Sequence, residues 1–150
     1  GRSLLAMKFL AMRLMQIGLK VYLVGEVCTP SIREGDLLLV GSGSGETAGM
    51  IAICKKAKAA GAEVAVFTKN RNSTIASIAK VAVQLNTAKP IQEGAAGPDG
   101  WIEGNYFSIR PSGNPFEQSI VIVGDAMVCE LMQKTNCGTA KIAYNHANLE

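Results

Sequence analysis

Three places in this sequence of 150 residues combine residue types that can do chemistry. The first is the turn Gly41-Ser42-Gly43-Ser44-Gly45-Glu46-Thr47. Its glycines let backbone approach an anion closely, and Ser42, Ser44 and Thr47 offer hydroxyl donors. The turn lies between the apolar run Leu37–Val40 and a helical pattern over Thr47–Ala60. The N-terminus of that helix would therefore aim its positive end and its free N–H groups at the same spot. Together these features make a phosphate cradle; the plainer reading is a Gly/Ser turn with Thr47 as a helix cap. The second place is Glu117 in Asn114-Pro115-Phe116-Glu117, which reads both as an N-terminal helix box and as a carboxylate able to act as general base. The third is His146, the only histidine. Its ring suits proton shuttling near neutral pH, although a lone histidine near a C-terminus is ordinarily a surface residue. Arg2 and Lys8 could also meet a phosphate, but exposed basic residues are common.

The spacing narrows the ligand. No Lys-Ser/Thr pair completes a nucleotide-hydrolysing P-loop, and GxGxG followed by Gly49 is not the dinucleotide fingerprint GxGxxG. What remains is a phosphate held by hydroxyls and amides, as small sugar phosphates are. The net charge of +3 comes from scattered Lys and Arg with no basic stripe among aromatics, so nucleic acid is not the expected partner. Cys28, Cys54, Cys129 and Cys137 lack zinc or CxxC spacing and are expected as reduced, packed thiols; neither a metal nor an organic cofactor is implied. The apolar opening Leu4–Ile17 is interrupted by Lys8 and Arg13 and falls short of the roughly 20 apolar residues that span a bilayer. It reads as a helix buried on a sheet, and the protein as cytoplasmic, without a membrane partner.

The elements that must position these residues alternate. After the first helix, Gly18 supplies a stop, and Lys20–Gly25 reads as a strand broken by Thr29-Pro30. Leu37–Val40 is a strand run, Thr47–Ala60 a helix ended by Gly61, and Glu63–Thr68 a second buried-strand run. Ser73–Ala79 reads as a short helix capped by Ser73, followed by a strand over Val81–Leu85. The stretch Asn86–Gly113 is rich in Gly, Pro and Asn, and a loop of that length is expected to be functional. Pro115–Lys134 is the longest helical pattern, with Met127, Leu131 and Met132 among its apolar face, and Thr139–Ala147 a last short helix. Such alternation predicts one α/β domain over residues 1–150, a three-layer α/β/α sandwich of flavodoxin-like type with a parallel sheet. Its ligand should sit outside the carboxyl ends of the strands. A helix opening at Ser3 in this fold should follow a strand, so a first strand is expected before Gly1.

Several motifs in chain order resemble the sugar isomerase (SIS) domain family, and within it the 6-phospho-3-hexuloisomerases. Ser42-Gly43-Ser44-Gly45-Glu46-Thr47 is similar to the family's phosphate loop, and Gly1-Arg2-Ser3 with Ala11-Met12-Arg13-Leu14-Met15 to its first loop and helix. Val24-Gly25-Glu26, Pro111-x-Gly113-x-x-Phe116-Glu117 and His146-Ala147-Asn148-Leu149-Glu150 continue the likeness to the end. The stretch Ala88–Asn105 looks longer and more Gly-rich than in the family, and Asn114-Pro115 replaces a small hydroxyl residue followed by an apolar one.

The resemblance implies an isomerase without cofactor, interconverting D-arabino-hex-3-ulose 6-phosphate and fructose 6-phosphate through a cis-enediolate, in formaldehyde assimilation by the ribulose monophosphate route. It implies that Glu117 and His146 are catalytic, and that Arg2, Ser3, Ser42, Gly43, Ser44, Gly45, Glu46 and Thr47 contact the phosphorylated sugar. The place of His146 at the chain's end, beyond the long Pro115–Lys134 helix, raises the expectation of a homodimer or homotetramer in which it serves a neighbouring subunit, with the apolar stripe of Met127, Leu131 and Met132 as pairing surface. Two rivals stand beside it: a non-catalytic sugar-phosphate sensor, and an isomerase for another sugar such as arabinose 5-phosphate.

Overall fold

The computed structural model describes residues 1–87 and 114–149. The apolar runs become three parallel strands, β1 (Leu37–Gly41), β2 (Glu63–Thr68) and β3 (Val81–Gln84), side by side in that order. Leu38 stands opposite Val64, and Val66 opposite Ala82. Parallel neighbours cannot be joined by a tight turn. Helix α2 (Ala48–Ala59) therefore links β1 to β2, and α3 (Thr74–Ile78) links β2 to β3. The remaining helices are α1 (Arg2–Gln16), α4 (Asn114–Lys134) and α5 (Thr139–Asn145).

Alternation along the strands divides the core in two. Leu38, Val40, Val64 and Val66 meet Cys54 and Ala57 of α2 and Ile75 of α3. Phe67 projects from the other face toward Leu10 of α1 and Phe116, Ile120 and Val128 of α4. Leu10 and Ile120 are 1% and 0% exposed, and burial of each such side chain contributes about 1.5–3 kcal/mol. Helices thus cover both faces, giving the three-layer sandwich that the alternation predicts. Gly124 lets α4 approach α1 closely, since a Cβ there would lie 3.1 Å from Leu10 Cδ1. Two ion pairs, Arg2 Nε–Glu117 Oε1 at 3.6 Å and Arg13 Nε–Asp125 Oδ1 at 3.0 Å, hold α1 and α4 side by side, starting at the same end.

Three expectations are corrected. No strand forms over Lys20–Gly25: the chain closes on itself in turns, with the Glu26 N–H donating to Leu23 O at 3.2 Å and the Thr29 N–H to Glu26 O at 3.1 Å. An apolar run becomes a strand only by pairing, and among the described residues nothing pairs with the outer edge of β1. Tyr22 and Val24 are consequently exposed. Of the four free cysteines only Cys54 is buried; Cys28 and Cys129 are exposed, because they sit outside the packed faces. Met127, Leu131 and Met132 pack against their own chain's core instead of forming a free stripe. Among the described residues, the exposed large apolar side chains of α1 and α4 are Leu4, Leu5, Met12, Met15 and Ile122. The loop anticipated over Asn86–Gly113 lies, from residue 88 onward, outside the described residues. Among the described residues no helix is long and apolar enough to cross a membrane.

Candidate active site

The turn after β1 is built as a rigid cup. Ser42, buried at its base, donates its N–H to Phe67 O at 3.0 Å and accepts the Gly45 N–H on Oγ at 3.2 Å. Gly43 O accepts the Lys69 N–H at 3.0 Å and the Thr68 hydroxyl at 3.3 Å, and Gly45 O accepts the Ile75 N–H at 3.1 Å. Gly45 has φ +68°, and the space a Cβ would need is filled by Ser73, so only glycine fits. Ser73 in turn caps α3 by accepting the Ala76 N–H, as its sequence position predicts.

The exposed rim carries the donors. Thr47 is the N-cap residue of α2, yet its hydroxyl makes no capping bond, so the plain helix-cap reading does not describe it. Ser44 Oγ accepts the Glu46 N–H at 3.2 Å and keeps its own proton to donate. With the start of α2 behind them, these hydroxyls line a neutral cup whose donors suit an anion.

Glu46 has a partner already. Its carboxylate accepts the Thr74 N–H and the Thr74 hydroxyl, both at 2.7 Å, strapping the turn to the N-terminus of α3. These bonds, the backbone one first, hold its pKa below the ordinary value of 4.5. A lowered folded value means the ionised strap is fully present above about pH 4.5 and is lost as pH falls through the folded pKa. We therefore predict a melting temperature difference between wild type and Glu46→Gln that is constant above about pH 4.5 and shrinks below it. A difference independent of pH throughout would contradict the strap.

Glu117 stands in the first turn of α4. Its neighbour Phe116 reaches the cup, with ring atoms 3.5 Å from where a Gly43 Cβ would stand. Arg2, half exposed, lies beside one Glu117 oxygen, while the other oxygen, Oε2, is buried with no hydrogen-bond partner. A helix-capping role would occupy one oxygen only. A buried acceptor without a partner is costly, of the order of 1–3 kcal/mol, unless a ligand completes it. Arg2, Glu117, Leu5, Phe9 and Ile122 line an open groove of about 510 Å³ between α1 and α4. Ser3 begins this same end of α1, whereas Lys8 points elsewhere, paired with Glu26 at 3.1 Å.

His146 is not in this neighbourhood. It ends α5, exposed, with Nδ1 3.0 Å from Ala147 O, and the preceding Asn145 Nδ2 donates to Gln16 O at the far end of α1. A helix of 15 residues is about 22 Å long at ~1.5 Å per residue, so His146 and Glu117 of one chain lie roughly 20 Å apart. Lys69 is the residue that sequence reading passed over. It follows the carboxyl end of β2 and arches over Gly43, and position after a parallel strand was the signal that could have found it. Among the described residues no group of three His, Cys, Asp or Glu side chains is gathered to hold a metal ion.

The molecule is a parallel α/β sandwich with a hydroxyl-rimmed cup after its first strand and a half-buried carboxylate on the helix layer next to it. Residues 1–98 match the SIS domain family, and the chain belongs to it. It is 38% identical over 150 residues to the 3-hexulose-6-phosphate isomerase of Bacillus subtilis strain 168, covering all of this chain and 76% of that protein. It is also 38% identical to the enzyme of that name from Mycobacterium gastri, of which it covers 70%. A crystal structure of a Methanococcus jannaschii protein, described as inferring a molecular function of 3-hexulose-6-phosphate isomerase, superposes with a TM-score of 0.78 at 29% identity. That likeness covers 100% of this chain and 75% of the other.

Proposed function

We propose that the protein interconverts D-arabino-hex-3-ulose 6-phosphate and fructose 6-phosphate. The observation that carries this reading is a buried, unpartnered carboxylate oxygen on Glu117 at the same end of the sheet as the anion cup. Similarity to enzymes named for that substrate supports it. The cup formed by Ser44, Thr47 and the loop amides holds the 6-phosphate and anchors the sugar. Glu117 takes the proton from C2 of the 3-hexulose, giving a 2,3-enediolate, and returns it to C3, so that the carbonyl moves from C3 to C2. The oxygens must exchange a proton as well, and His146 of a neighbouring copy supplies that shuttle, because its own chain holds it too far from Glu117. Arg2 lies beside the Glu117 carboxylate, 3.6 Å from Oε1. The sharing of sites requires a homodimer or larger homo-oligomer.

Assay against a panel of hex-3-ulose 6-phosphate, fructose 6-phosphate and arabinose 5-phosphate tests the reading. Turnover confined to the first two is expected. Binding without turnover would favour a sensor, and turnover of arabinose 5-phosphate would shift the substrate. Within the site, Ser44→Ala should raise KM about tenfold with little change in kcat, because the phosphate is held alike in ground and transition states. An unchanged KM would remove Ser44 from the cup.

A further inference from the structure

The cup as assembled from its own turn carries no positive charge. Its donors are hydroxyls and amides, and Glu46 adds a carboxylate to the same seven residues. A phosphate monoester brings close to two negative charges near neutral pH, so neutral donors leave charge uncompensated. Lys69 is placed to supply the missing cation. Its backbone is fixed on both sides, the N–H donating to Gly43 O at 3.0 Å and the carbonyl accepting from Gln84 Nε2 at 3.1 Å. From that anchor the side chain crosses the cup: a Cβ on Gly43 would stand 3.2 Å from Lys69 Cε. Lys58 and Lys80 are both spent on Glu63 and Lys8 on Glu26, whereas Lys69 makes no ion pair among the described residues.

We infer that Lys69 is a binding residue of the phosphate subsite, closing over Gly43 to neutralise the phosphate that the turn cradles. The inference rests on the reading of the turn as a phosphate cup and adds to it the source of charge. Gly43 is part of the device, since any side chain there would push the lysine aside.

The test compares wild type, Lys69→Met, which keeps the aliphatic cover, and Lys69→Arg, which restores the charge. Two readouts are used: the Kd for inorganic phosphate by calorimetry, and steady-state constants with hex-3-ulose 6-phosphate. Lys69→Met should weaken phosphate about tenfold and raise KM by a similar factor, with kcat within about twofold, as expected for loss of one charge-assisted contact. Lys69→Arg should recover most of both. Wild-type phosphate affinity in Lys69→Met overturns the role of Lys69 while leaving the cup intact. Failure of wild type itself to bind phosphate overturns the cup, and the inference with it. A fall in kcat at unchanged KM would also overturn it, because a binding charge acts on both states alike.

Discussion

Replacing Glu117 by Gln is expected to lower kcat by at least ~10²-fold, the scale of general-base catalysis, while KM and melting temperature stay close to wild type. The amide keeps the size and hydrogen-bonding capacity of the side chain at the start of α4 but cannot accept a proton from carbon. Oε2 is buried without a partner, so the substitution breaks no hydrogen bond at that atom. The paired observation is isotopic. In deuterated water the wild type should wash label into C3 of fructose 6-phosphate, the carbon that gains a proton when the enediolate closes, and Glu117→Gln should not. Exchange at the wild-type rate in the variant would leave Glu117 as a helix-start residue and nothing more.

The second large effect is complementation. Glu117→Gln and His146→Ala chains, each nearly inactive alone, should regain substantial activity when refolded together. The two residues sit at opposite ends of α1, and about 22 Å of helix cannot be closed by side-chain rotation. A working site with both groups must therefore take them from different chains, and a mixed oligomer contains some sites with both intact. If the mixture stays as inactive as its parents, the shared site fails.

Local pattern made much of this molecule readable. The run Glu63–Thr68 forms a strand over those same residues, and Ser73 caps the helix after it. Both depend on neighbours a few positions away. The apolar run at Val21–Val24 misleads for the opposite reason: its composition is that of a strand, but strand formation is decided by a partner outside the run. Met127, Leu131 and Met132 show the same limit, since an apolar helix face does not say whether its own core or another chain covers it. At the site, the turn and Glu117 were visible as motifs. The Glu46–Thr74 strap joins residues 28 apart, and the reach of Lys69 over Gly43 exists only after β1 and β2 are side by side. Neither contact has a signature in linear spacing, although the place of Lys69 directly after a strand run marks the residue itself.

The cup and the carboxylate belong to different layers. The hydrogen bonds that shape the cup run within the turn itself, into α2, or to β2, the residues after it and α3, whereas Glu117 is paired with Arg2 of α1 on the other face. Under the proposed roles, the handle by which a substrate is gripped and the tool that works on it are held by separate halves of the sandwich. Such a frame can be retooled piecemeal. Changes in α1 and α4 away from Phe116, whose ring meets the cup, could admit sugars of another length or stereochemistry, or silence the chemistry altogether, without disturbing the grip on phosphate.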